Sequence, residues 1–146
     1  MALKVRNTGA LRQLVVNLRQ APRVIQQAAA DEIKLKIEEQ IADEFATSTD
    51  PYGKPWKPPK DGGKTMDRTG SLRRGFCVEV VGNGLGFSVR ITNSQDYAKW
   101  LQSGTSRLDA RKTVPDAAIP LSYRKIFADA YRNAIEAWYA TTPMRG

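Results

Sequence analysis

The feature that most narrows the fold is a series of apolar residues at every fourth position: Ile25, Ala29, Ile33, Ile37, Ile41 and Phe45. A step of four residues turns an α-helix by about 400°, so each side chain sits about 40° round from the last and the apolar stripe winds about the axis. A chain carrying such a stripe builds around a long helix. Either that helix curls around its own core, or its ends meet different neighbours, the domain's own sheet at one end and another subunit at the other. Upstream, Leu11, Leu14, Val15 and Leu18 fall at i, i+3, i+4 and i+7 behind Thr8 and Gly9, which predicts a shorter amphipathic helix from near residue 9. Pro22 lies between the two patterns. Proline suits the first turn of a helix, so Pro22 is expected to open a second helix running to about Ala46; a single kinked helix is the other option.

Further along, the period changes from four to two. Phe76, Val78 and Val80 alternate with Cys77, Glu79 and Val81, and Phe87, Val89 and Ile91 alternate with Ser88 and Arg90. Gly82, Asn83 and Gly84 between them tolerate positive φ, which predicts a β-hairpin, with Gly86 a candidate bulge. Two strands alone are marginal in water, so helices or a third strand must cover their apolar face. The segment before Gly53 and residues 113–119 are the candidates for that strand. Ser94 or Asp96 is expected to cap a short helix over 97–102, closed by Gly104 in a left-handed conformation, with Tyr97 facing the core and Trp100 an interface. Ser122 is expected to cap a final helix. Its Ile126, Phe127, Ala130, Tyr131, Ala134, Ile135 and Trp138 share half the wheel, opposite Lys125, Asp129, Arg132 and Glu136.

The expected fold is therefore one α+β domain over 1–146, with a long N-terminal helical region and a C-terminal helix packed on a small antiparallel sheet with a central hairpin. A long loop at 47–73 and an irregular segment at 104–120 interrupt it, and 141–146 are expected to form a flexible tail.

The chain carries a formal charge of +8, unevenly spread. Residues 1–46 hold seven basic and six acidic side chains, whereas 47–74 hold seven basic (Lys54, Lys57, Lys60, Lys64, Arg68, Arg73, Arg74) against three acidic. A basic loop can contact nucleic acid, contact an acidic protein, or simply be solvated. Catalysis finds no support: there is no His, the lone Cys77 sits in a predicted strand, and no Ser occupies a Gly-x-Ser-x-Gly elbow. Gly62, Gly63, Lys64 and Thr65 lack the upstream glycine and the strand of a phosphate loop. Asp31, Glu32, Glu38, Glu39, Asp43 and Glu44 come mostly as adjacent pairs, which point about 100° apart on a helix, so a solvated acidic face is expected instead of a metal site. Neither enzymatic activity nor a cofactor is expected. One cysteine excludes an intramolecular disulfide, and no apolar run approaches the roughly 18 residues that span a bilayer, so a cytosolic origin and no membrane contact are expected.

The loop at 50–72 is too polar for a core element, yet it carries Trp56. Asp50-Pro51-x-Gly53-x-Pro55-Trp56, then Asp67-x-Thr69-Gly70-x-Leu72, then Tyr97-Ala98 with Gln102-x-Gly104-Thr105, and finally Ala110-Arg111 follow one another across 50–111. In order and spacing they resemble the small virion morphogenesis and tail-completion proteins of tailed bacteriophages, typified by Mu-like phages and prophages, and the related head-tail joining proteins of long-tailed phages. Two departures are local: those proteins commonly follow Ala-Arg with Pro-Phe, where this chain has Lys112-Thr113-Val114-Pro115, and often carry Ser where it has Gly75.

The resemblance implies a structural α+β subunit without enzymatic activity, often assembled as a ring at the head-proximal end of the tail or in the neck. Its partners would be tail and portal-side proteins, and its location the virion after assembly in the host cytoplasm. Isolated subunits could be monomers, and passing DNA a weak contact. A nucleic-acid-binding accessory protein is the alternative, and a metal nuclease a more distant one. On the assembly reading the contacts come from 47–73 and 97–115. Trp56 is the expected anchor, Gly53 and Gly70 form turns, Leu72 staples the loop to the sheet, and Lys57, Arg68, Arg73 and Arg111 form a charged rim. Trp100, Gln102, Gly104 and Thr105 supply the second contact segment. The loop is expected to be mobile in the free subunit and ordered in the particle.

Overall fold

A computed structural model describes residues 8–63, 69–82 and 87–142. Helix α1 (Thr8–Thr47) is continuous over 40 residues, about 60 Å at 1.5 Å per residue. Pro22 therefore lies inside one helix and does not open a second. An interior proline leaves the carbonyl four residues back without its donor and costs about 3 kcal/mol. Here Leu18 and Pro22 are both exposed, so water can take the freed carbonyl. Beyond the proline, Ala29, Ile33, Ile37, Ile41 and Phe45 are all buried, which is the winding stripe read from the sequence.

A single turn, α2 (Ser71–Arg74), starts at Gly70, whose φ of 71° is open to glycine at little cost. It delivers Leu72 to the core immediately before the hairpin of β1 (Phe76–Gly82) and β2 (Phe87–Asn93). The strands pair antiparallel, Val78 opposite Ile91 and Val80 opposite Val89, and their apolar residues alternate inward as expected. The expected turn at Asn83 and Gly84, and the bulge at Gly86, lie outside the described residues. Among the described residues the sheet has two strands. Neither candidate third strand joins it: the segment before Gly53 contributes only an isolated bridge, Thr49 to Pro55, and 113–119 pair with no strand. The face is covered instead by α1, which buries Val78 to 1% exposure.

Two shorter expectations also change. Helix α3 (Ala98–Ser103) has no side-chain cap from Ser94 or Asp96. Its approach is set by Asn93, whose Oδ1 accepts the Gln95 amide at 2.9 Å while its Nδ2 donates to the Leu72 carbonyl at 2.8 Å. Helix α4 (Leu121–Thr141) starts behind Pro120, not on a Ser122 cap. It runs antiparallel to α1: Tyr123 meets Glu44 near one end and Asn133 meets Glu32 further along. Its buried seam, Tyr123, Ala130 and Ala134, is narrower than the half-wheel predicted, with Tyr131 36% and Ile135 50% exposed. The architecture is the expected α+β one, a long N-terminal helix and a C-terminal helix with a two-stranded antiparallel sheet. Among the described residues no helix is long and apolar enough to cross a membrane.

Candidate functional site

After α1 the chain doubles back sharply. Asp50 closes the turn: its Oδ1 accepts the amides of Tyr52 at 2.9 Å and Lys54 at 2.8 Å, while its own amide donates to the Lys54 carbonyl at 2.8 Å. This closure needs the positive φ of Gly53, 82°. The Trp56 amide then returns to the Ser48 carbonyl at 2.8 Å, which places the indole beside Phe45 with ring centroids 5.2 Å apart in an edge-to-face pair. Trp56 is only 6% exposed and belongs to the main hydrophobic core. The expectation of an exposed interface anchor is corrected: a large aromatic within reach of Phe45 is worth more buried than displayed.

The backbone from Arg111 to Ala117 passes between this turn and α3, and side chains satisfy much of its hydrogen bonding. The Trp56 indole Nε1 donates to the Lys112 carbonyl at 2.8 Å. Gln102 acts from the other side: its Oε1 accepts the Thr113 and Val114 amides at 2.8 and 3.2 Å, and its Nε2 donates to the Val114 carbonyl at 2.9 Å. The Tyr52 hydroxyl accepts the amides of Asp116 and Ala117 at 3.2 and 3.1 Å. The Arg111 amide donates to the Leu101 carbonyl at 2.7 Å, and its guanidinium Nε to the Lys57 carbonyl at 2.9 Å. Groups that a sheet ladder would have paired are thus taken by Trp56, Gln102 and Tyr52, which is why no third strand forms here.

Gln102, expected at a partner surface, is half-buried and acts as an internal clamp, while Leu72 (3% exposed) and Gly70 are buried in the fold. Leu72 does act as a staple to the hairpin region, through the core cluster it shares with Val78. Gly104 has a φ of 75° but an extended ψ of 173°, and a Cβ there would lie 2.9 Å from the Ala110 amide nitrogen. Thr105 bridges to Leu108 and stays exposed. At Gly75 a Cβ would approach Asn93 Oδ1 to 2.5 Å, so a larger residue there would have to displace the Asn93 side chain.

The surface left outward is small and mixed. Lys57 pairs with Asp109 at 2.6 Å, an exposed contact that holds the Asp109 carboxyl below its usual range. Arg73 is exposed, and Arg68 lies outside the described residues. On α3, Ala98 and Leu101 pack against the core, which turns the other pair, Tyr97 (44% exposed) and Trp100 (52%), outward. Tyr97 is thus not the inward residue expected, whereas Trp100 is displayed, with the Lys99 ammonium 4.9 Å from its ring centroid.

Beneath the turn lies a group that charge patterning hid. Glu44, expected on the solvated acidic face, is 2% exposed between α1 and α4. Tyr123 donates its hydroxyl to Glu44 Oε1 at 3.2 Å and Gln40 donates to the same oxygen at 3.4 Å, while Oε2 has no partner among the described residues. Burial, only partly offset by these donors, raises the carboxyl to about 7, and burial beside Glu44 raises the Tyr123 phenol. The place of Glu44 seven residues after Ile37 of the apolar stripe was the available sequence hint. Tyr52 and Asp109 were also missed; the pairing of the Asp50–Trp56 and Gln102–Arg111 patterns was the available signal. Among the described residues no three or more Cys, Asp or Glu side chains group as metal ligands. Comparison with known protein families, with curated proteins and with solved structures finds no match.

Proposed function

We propose that the chain is a structural subunit of a tailed bacteriophage particle, completing the tail or joining it to the head through contacts with tail and portal-side proteins. What supports this reading is that two of the sequence elements resembling tail-completion proteins, about fifty residues apart, are tied together by hydrogen bonds: Trp56 donates to the Lys112 carbonyl, Gln102 to the Val114 carbonyl and Arg111 to the Lys57 carbonyl. Their spacing fits a role in shaping a rigid platform, and the platform displays Tyr97, Trp100 and the Lys57–Asp109 pair. A ring subunit needs two different complementary surfaces, because head-to-tail contacts generate rings.

Between protein contact and DNA contact, the hydrogen bonding favours the former. Lys57 is paired with Asp109, so part of the basic charge of the loop is balanced within the chain. The test is removal of the coding sequence from a phage genome that carries it, followed by electron microscopy of the lysate. Separate heads and tails, joined again on adding the purified chain, are the expected result. Normal infectious particles lacking the chain would overturn the proposal, and duplex binding that weakens steeply with salt would favour the nucleic-acid alternative.

A further inference from the structure

Helix α1 is much longer than the body it packs against. The pairing of Glu44 with Tyr123 and Glu32 with Asn133 places the end of α4, Thr141, level with residues 24–25 of α1. Residues 8–24 consequently run on past α4 for roughly 25 Å. This arm has no hydrogen bond to the rest of the chain among the described contacts; Ala21 is buried and Leu14 half-buried on one side of it, but Val15 is 40% exposed, Val16 42% and Leu18 49%. Arg12, Arg19 and Arg23 rise beside them at helical spacing, and no acidic residue occurs before Asp31. The second half of the helix has the opposite sign. From Asp31 to Glu44 there are six carboxylates and two lysines, and Glu44 alone of the six is buried. On that half Leu35 stands 54% exposed, with Asp31 four residues before it and Glu38 and Glu39 three and four after, on one face.

We infer that the arm of one copy docks on the acidic half of α1 of a second copy, Val15 and Leu18 against Leu35, with Arg12 and Arg19 facing Glu38 and Glu39. This deepens the assembly reading and rests on it, naming the partner as another copy of this chain. Arm and acidic face are different surfaces at opposite ends of one helix, so the contact is head-to-tail and can be repeated around a ring. Charge on both rims favours encounter in this register and disfavours arm-on-arm or face-on-face pairing.

Mass by light scattering tests it. The wild-type chain is expected to rise above 16.2 kDa with concentration, and less so at high salt. Arg12→Glu with Arg19→Glu, or Glu38→Lys with Glu39→Lys, all at exposed positions, should each hold the chain at the monomer mass. A chain carrying all four reversals should associate again, as should an equimolar mixture of the two double variants. Association that ignores the reversals, a four-fold variant that stays monomeric, or a wild type monomeric up to roughly millimolar concentration overturns the docking. Those results leave the particle experiment above untouched, whereas normal particles without the chain remove the assembly reading even if copies dock.

Discussion

Replacing Trp56 separates a core role from a surface role most sharply. Trp56→Ala deletes a side chain that is 6% exposed, its edge contact with Phe45, and the donor to the Lys112 carbonyl. Truncating a buried aromatic costs about 3–5 kcal/mol, and leaving a buried carbonyl unpaired adds roughly 1 kcal/mol or more. A domain of this size holds only about 5–15 kcal/mol in total, so the variant should be close to unfolding. Trp56→Phe keeps a ring against Phe45 and loses the N–H, so it should cost about 1–2 kcal/mol. Urea titration followed by far-ultraviolet circular dichroism measures both. The wild type should have the highest midpoint, then Phe, then Ala, with the slope unchanged between wild type and Phe. An alanine variant with the wild-type midpoint would refute the core assignment and return Trp56 to the surface.

Glu44 gives the fold a pH dependence of definite sign. Its folded pKa of about 7 exceeds the ordinary 4.5, so between those values the folded chain keeps a proton that the unfolded chain has released. This contribution to stability is therefore full below pH 4.5, falls as pH rises to 7, and is flat above, with about 1–3 kcal/mol at stake. Glu44→Gln should flatten that fall and raise the urea midpoint at pH 8; an unchanged profile would place the carboxylate in water. Gln102→Ala frees the Thr113 and Val114 amides and the Val114 carbonyl together, and should lower stability by about 2–3 kcal/mol in the same assay. Gly104→Ala adds a Cβ 2.9 Å from the Ala110 nitrogen at a φ of 75°, and should destabilise by about 1–3 kcal/mol in thermal melts.

What the sequence made legible follows from which signals are local. The four-residue stripe from Ile25 to Phe45 and the alternation in β1 and β2 are repeated many times over: Ala29, Ile33, Ile37, Ile41, Phe45 and Val78 are buried, and Ile25, Phe76, Val89 and Ile91 pack half-buried against them. Pro22 misled because proline's preference for a first turn competes with the burial of a long stripe beyond it, and burial of five side chains outweighs one lost hydrogen bond. The loop misled for a different reason. Polar composition and a lone tryptophan suggest a displayed arm, but whether an aromatic is displayed depends on Phe45, which precedes the turn, and on Lys112, 56 residues later. No local pattern encodes that distance. The same holds for Glu44, whose partner Tyr123 is 79 residues away, and for Tyr97 and Trp100, whose directions are fixed by which residues of α3 the core takes. Over 48–57 the loop is a turn tied by its own backbone and by segment 109–117.

That tie can be measured in the isolated protein by amide hydrogen exchange at Thr113 and Val114, both donated to the Gln102 side chain. A prebuilt platform predicts that these two amides exchange as slowly as those of Ile33 and Ile37 in the core of α1, and that Gln102→Ala releases them. Exchange at the rate of an open loop in the wild-type chain would contradict the account, because Trp56, Gln102 and Arg111 would then not be holding the two segments together.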